Sequence, residues 1–153
     1  MTHTSHSQDD KAEPASLVER ALAQALNAHA GQRDKAGKPY ILHPLRIMAK
    51  MDDPISQAAA LLHDVLEDSE TTTADLEADG FPAEVIEAVV ALTRRPGESY
   101  VAFIERIRLN ALARRIKLAD IEDNLSVLRL PHLEQPDLCR IEKYHRAWHR
   151  LSI

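Results

Sequence analysis

The stretch "AALLHDVLED", Ala59–Asp68, decides how the rest of the chain is read. Its Ala and Leu residues are those of a buried helix, yet His63, Asp64, Glu67 and Asp68 fall inside it. On a helix, residues four apart stack on one face, which sets His63 over Glu67 and Asp64 over Asp68. At about 100° per residue the four share one broad face, while Ala59, Leu62 and Leu66 turn toward a core. The segment is amphipathic, and its polar face consists of metal-ligating and acid–base residue types. Glu67 and Asp68 fall near the expected helix end, where acids oppose the macrodipole unless something holds them.

Working outward, Asp53 caps this helix and Pro54 opens its first turn, so the pattern predicts a helix from there to about Asp68. Upstream, Ser16 caps "LVERALAQALNAHA", whose Leu17, Ala21, Leu22, Ala25 and Leu26 form one stripe, and Gly31 ends it. "GQRDKAGKPY" is a loop, and a short helix follows over His43–Lys50. Downstream, Thr73 opens a short helix and Pro82 opens "AEVIEAVVALT", with "RRPGE" as a turn. Tyr100–Leu109 and Ala111–Leu128 are amphipathic, and Pro131 and Pro136 precede a last helix over Asp137–Leu151. No alternating strand pattern appears. The expected architecture is all-α, an irregular helical bundle, with a disordered polar tail over 1–14 and a single domain over 15–153.

Size and charge narrow the function. The chain has 153 residues, with 44% hydrophobic, 28% charged and a formal net charge of -5. That balance argues against nucleic acid or a membrane as the main partner, while leaving room for a local basic patch that holds a phosphorylated small molecule. The single cysteine, Cys139, permits no internal disulfide and fits a reducing compartment. No apolar run approaches a membrane span of about 20 residues, so a cytoplasmic location is expected.

Two further segments carry site chemistry. "PYILHP" places His43 between prolines, and "RRIKLADIEDNLSVL" places Asp120 in a helical run with Asn124 four residues on. His43, His63, Asp64 and Asp120 make a set of two imidazoles and two carboxylates. Mixed nitrogen and oxygen donors suit Mn, Fe, Zn and related divalent ions. Such an ion acidifies water and polarises phosphoryl oxygens.

This order of residues, H…HD…D, is the signature of HD-domain metal-dependent phosphohydrolases. "HAGQRDKAGKPYILHP", "AALLHDVLEDSETT", "VVALTRR" and "RRIKLADIEDNLSVLRL" more specifically resemble the hydrolase domain of RelA/SpoT-type proteins, over about residues 17–130. The resemblance implies an HD-type fold, a Mn²⁺ centre held by His43, His63, Asp64 and Asp120, and removal of pyrophosphate from the 3′ position of (p)ppGpp. It implies that Glu67 and Asp68 activate and orient the attacking water, and that Asn124 and Lys35 lie near the substrate. With no stretch left for a synthetase domain, a stand-alone hydrolase is expected.

The chain departs from that pattern in two places. The usual Arg-Lys-Ser-Gly is Asp34-Lys35-Ala36-Gly37 here, so Asp34 replaces the Arg that packs on the guanine. A carboxylate cannot stack as a guanidinium does, and it repels phosphate. The usual Asp-Arg-Leu-His-Asn is Asp120-Ile121-Glu122-Asp123-Asn124, which removes an Arg and a His and adds two acids. The metal set is intact while the nucleotide-reading shell is altered. Besides the alarmone, a different nucleotide, such as a nicotinamide or deoxynucleotide phosphomonoester, remains a candidate substrate, as does a non-catalytic nucleotide sensor.

Arg33, Lys35, Arg94, Arg95 and Lys117 are the candidate cations for substrate phosphates. Lys117 lies about one turn before Asp120; Arg94 and Arg95 follow a helix, where solvated residues are equally expected. Arg46, Arg106 and Arg129 read as surface or bridging residues. His29 reads as a helix-end hydrogen-bonding group. His145 and His149, four apart beside Tyr144 and Trp148, read as a packing and surface helix. Tyr100 and Phe103 read as core, Cys139 as a buried inert thiol, and His3 and His6 as solvated, while His132 lies late in the chain with no role assigned.

Overall fold

The computed structural model describes residues 14–153; His3, His6 and almost all of the expected tail lie outside them. The described residues form nine α-helices: α1 (Leu17–Ala28), α2 (Leu42–Met48), α3 (Pro54–Leu62), α4 (Val65–Asp68), α5 (Thr73–Ala78), α6 (Ala83–Ala91), α7 (Tyr100–Arg108), α8 (Ala111–Asn124) and α9 (Gln135–Leu151). Among them no strand forms beyond one antiparallel bridge, Arg33 to Pro39, which pinches the loop between α1 and α2. No helix of the described residues is long and apolar enough to cross a membrane.

The helix ends follow from their sequences. The Ser16 hydroxyl accepts from the Glu19 amide, and Glu19 returns the bond to the Ser16 amide, closing a capping box. Asp53 accepts from the Ser56 amide at 2.9 Å, and Pro54 sits where no amide hydrogen is needed.

α3 is the centre of the bundle, packed by α1, α2, α6 and α8. Ala58, Ala59, Ala60, Leu61 and Leu62 are all fully buried. The three alanines let the neighbouring helices approach closely, and the leucines fill the space between them. Truncating a leucine at such a site costs about 2–5 kcal/mol. α9 closes the far side by packing on α7 and α8.

Several expected boundaries move, and four of them bear on the site or the last helix. The helix from Pro54 does not run unbroken to Asp68: it stops at Leu62, turns through His63 and Asp64, and restarts as the single-turn α4. The His63 Nδ1 donates to the Ala60 carbonyl at 2.7 Å, so the imidazole takes the acceptor that a continuing helix would use. α8 ends at Asn124 rather than Leu128, because Ser126 leaves helical geometry and Val127–Arg129 form a 3-10 turn. α9 begins at Gln135, two residues early, because its first turn tolerates Pro136. The short second helix spans Leu42–Met48, with Pro44 in its first turn.

Candidate metal centre and anion pocket

α2, the α3–α4 break and α8 each bring one part of the site. α2 carries His43, which is 5% exposed, the break carries His63 and Asp64, and α8 carries Asp120, which is 4% exposed. Ligand atoms of His43, His63 and Asp120 lie within 4.8 Å of one another. The His43 Nε2 is 3.0 Å from Asp120 Oδ1 and 3.8 Å from Asp64 Oδ2. The His63 Nε2 is 2.9 Å from Asp64 Oδ2 and 3.8 Å from Asp120 Oδ1. Each carboxylate oxygen thus lies near both imidazole nitrogens, with Asp64 at the margin of the tighter group that His43, His63 and Asp120 form.

The donor chemistry fits a cation there. The His63 Nδ1 gives its hydrogen to Ala60, so in the neutral ring Nε2 carries only a lone pair. That atom is buried and makes no hydrogen bond, although Asp64 Oδ2 is close, because the two are not aligned for one. Lone pairs facing carboxylates at this range repel unless a positive charge lies between them. Without an ion, protons fill the role. Burial opposes charge on His43, yet hydrogen bonds to Asp120 and Asp123 and the charge of Asp64 outweigh it and raise the imidazole to about 9. His63 is raised for the same reason: burial is outweighed by the nearby charges of Asp64 and Asp120. Burial raises Asp64, but the neighbouring His63 charge dominates and holds it at about 2.

The carboxylates are held from outside. Tyr40 donates its hydroxyl hydrogen to Asp64 Oδ2. The Lys117 Nζ lies 2.7 Å from Asp120 Oδ2, and the Asn124 Nδ2 donates to Asp120 Oδ1 at 2.8 Å. Burial opposes the Lys117 charge, but Asp120 outweighs it and raises the ammonium well above the usual lysine range. Lys117 and Asn124 therefore both touch Asp120, and the ammonium is a partner of that carboxylate.

Glu67 and Asp68 are exposed on α4 at the edge of this cluster. The Arg94 amide donates to Glu67 Oε1 at 2.5 Å, and the Arg94 Nε donates to the Glu98 carbonyl. Asp68 is raised by partial burial and by the charge of Asp64.

A cavity of about 280 Å³ opens beside His43 and Tyr40. Arg33, Lys35, Asn124, Arg129, Arg140 and Tyr144 lie on its wall. Of the sequence-predicted substrate residues, Arg33, Lys35 and Asn124 thus line the cavity, Arg94 sits at Glu67, and Lys117 sits behind Asp120. Arg140 and Tyr144 on α9 carry no sequence signal as site residues, since they lie beyond the stretch that carries the resemblance. Nor does the sequence mark as site residues Tyr40, three residues before His43, or Asp123, which accepts from the His43 Nδ1 at 2.6 Å.

Other residues fall as follows. Asp34 does not stand as a bare charge: its Oδ1 accepts from the Ala36 and Lys38 amides, both at 2.9 Å, and staples the loop. Of the two added acids in "DIEDN", Glu122 turns outward to Lys50 and Trp148, while Asp123 is buried. Arg46, Arg106 and Arg129 are bridging residues, as expected. His29 is buried with its Nδ1 2.8 Å from Gln32 Oε1. Cys139 is exposed rather than buried, because it lies on the outer face of α9.

The chain resembles known proteins at both levels. The family model for the HD domain matches residues 21–128. A GTP pyrophosphokinase of Streptomyces coelicolor is 35% identical over 162 residues, covering 95% of this chain and 19% of the relative. A guanosine-3′,5′-bis(diphosphate) 3′-pyrophosphohydrolase of Vibrio cholerae is 33% identical over 153 residues, covering 89% of this chain and 22% of the relative. The chain therefore spans about a fifth of the length of these relatives. Among solved structures, a metazoan orthologue of SpoT that hydrolyses ppGpp superposes with a TM-score of 0.71 at 26% identity, covering 91% of this chain and 86% of that one. An HD domain implies a divalent metal, and the buried His and Asp donors supply a place for one. With a helical architecture, the His and Asp donors in the expected order and a matching model over most of its length, the chain belongs to the HD-domain family.

Proposed function

We propose that the protein is a metal-dependent phosphohydrolase of a phosphorylated nucleotide, with (p)ppGpp 3′-pyrophosphohydrolase-like activity and Mn²⁺ as its ion. The observation that carries this reading is the convergence of His43, His63 and Asp120 within 4.8 Å, with Asp64 beside them, next to a cavity that His43 lines together with Arg33, Lys35 and Arg140. One relative is a pyrophosphokinase and another a pyrophosphohydrolase. A buried donor set beside a carboxylate pair supports hydrolysis, which needs water activation.

His43, His63, Asp64 and Asp120 would hold the ion, and Tyr40, Lys117 and Asn124 hold those carboxylates in place. The ion, when bound, supplies Lewis acidity toward a phosphoryl oxygen and acidifies water. Glu67 and Asp68 form the proton-accepting pair. The water oxygen bonds to phosphorus and one of its protons passes to the carboxylate pair, while the bond from phosphorus to the ribose 3′ oxygen breaks and that oxygen takes up a proton from the pair or from solvent, leaving as the 3′ hydroxyl of GDP. Arg33, Lys35 and Arg140 offset the charge of the departing pyrophosphate. The test is release of pyrophosphate and GDP from ppGpp by the Mn²⁺-loaded protein, and no pyrophosphate would overturn the alarmone reading.

A second reading rests on Asp34. Its carboxylate is tied to loop amides where relatives of the pattern carry a stacking Arg. That favours a substrate other than a guanine nucleotide, recognised by its phosphates. Turnover of another nucleotide by the same preparation, with ppGpp inert, would select it.

A further inference from the structure

We infer that Asp123 is a positioning residue of the metal centre: it fixes the tautomer and the aim of His43, and Arg46 and Arg129 hold it in place. The His43 Nδ1 donates to Asp123 Oδ2 at 2.6 Å. A neutral imidazole can carry its hydrogen on either nitrogen, and only the Nδ1 form leaves Nε2 free for a metal. Asp123, 7% exposed, selects that form. Its own geometry is fixed by a two-pronged contact from Arg46, whose Nε donates to Oδ1 at 2.7 Å and Nη2 to Oδ2 at 3.0 Å. The Arg129 Nη2 donates to the Asp123 carbonyl at 2.5 Å and lies 3.5 Å from Oδ2.

The two imidazoles of the site are aimed by unlike means. His63 is set by the Ala60 main-chain carbonyl, which no side-chain substitution removes. His43 is set by a side chain, and its orientation is therefore open to substitution. Asp123 occupies the position where the resembled Asp-Arg-Leu-His-Asn segment has His. The acid comes with two guanidiniums that neutralise it, so it adds no net negative charge to the pocket wall. Outer partners of metal-bound histidines typically contribute about 10–100-fold to metal affinity.

This inference rests on the reading of His43 as a ligand, and Mn²⁺ titration of the chelator-stripped full chain by calorimetry tests both. Asp123→Ala is expected to weaken Mn²⁺ binding by about tenfold or more. Asp123→Asn keeps a carbonyl acceptor for Nδ1 and should recover part of the loss. Arg46→Met should weaken binding by a smaller factor, without touching the site directly. In the Zn²⁺-loaded protein, which is diamagnetic, the His43 Nδ1 hydrogen should give a slowly exchanging low-field proton resonance that Asp123→Ala abolishes. Wild-type protein that takes up no Mn²⁺ would overturn the reading of His43. Wild-type binding matched by equal binding in Asp123→Ala would overturn the positioning role alone. Should Asp123→Ala fail to fold, unchanged affinity in both Asp123→Asn and Arg46→Met would overturn it.

Discussion

The main-chain amide of Arg94 donates to Glu67 Oε1 at 2.5 Å, joining the end of α4 to the turn after α6. One carboxylate oxygen of Glu67 is thereby fixed, and the other is free to receive a proton. A glutamine at this position keeps the acceptor for Arg94 and removes the charge. Glu67→Gln is therefore expected to retain the fold and the metal while losing turnover by about 10²–10⁴-fold. Asp68→Asn is the companion variant. Whichever of the two leaves turnover unchanged in a steady-state assay is removed from the proton-accepting role.

Metal removal should destabilise the protein and reveal the protons that stand in for the ion. A ligand at about 100 times its Kd stabilises by about 2.7 kcal/mol, so Mn²⁺ should raise Tm in a concentration-dependent way that chelator reverses. Asp64→Ala should abolish that rise. In metal-free protein His43 is raised from 6.5 to about 9. Its contribution to stability is then fully present below pH 6.5 and is lost as pH rises through about 9. Since a bound ion requires the neutral imidazole, Mn²⁺ binding at pH 7.5 should release protons. Calorimetry in two buffers of different ionisation enthalpy reads that release, and identical heats would contradict it.

Asp120 is buried, Lys117 is mostly buried with its side chain 13% exposed, and the two lie 2.7 Å apart. Removing one member of a buried ion pair strands the other and costs about 3–5 kcal/mol. Lys117→Met should lower stability by about 3 kcal/mol in urea unfolding of metal-free protein. Saturating Mn²⁺ should shrink the loss, because a bound cation offsets the Asp120 charge. A loss that is the same with and without Mn²⁺ would place the ion away from Asp120.

What the sequence made legible was chemistry borne by short-range pattern. His63 with Asp64 are chain neighbours, Asp120 and Asn124 are one turn apart, and Ser16 and Asp53 announce their caps within three residues. What it hid was contact across long separations. Tyr40 to Asp64 and His43 to Asp123 join segments 24 and 80 residues apart, and no periodicity encodes such pairs. The break at His63 was hidden as well, since it depends on a side chain competing for the Ala60 carbonyl rather than on a helix-breaking residue. Partners of the acids were hidden too: the letters do not show that Asp34 is held by two loop amides or that Asp123 is paired with two guanidiniums.

Asp34 gives the sharpest test of how the loop serves the substrate. Its Oδ1 accepts two amides, from Ala36 and Lys38, and so shapes the turn that carries Lys35. Asp34→Ala leaves both amides to water and loosens that turn. A net hydrogen bond is worth about 1 kcal/mol, and a loosened Lys35 acts on bound and reacting substrate alike. The expected outcome is a KM raised by about tenfold with kcat within about twofold, the pattern of lost uniform binding. Initial-rate kinetics on the Mn²⁺-loaded variant measure both. A fall in kcat with KM unchanged would instead place the loop in contact with the reacting phosphoryl group, and Lys35 would then belong to the transition state rather than to substrate capture.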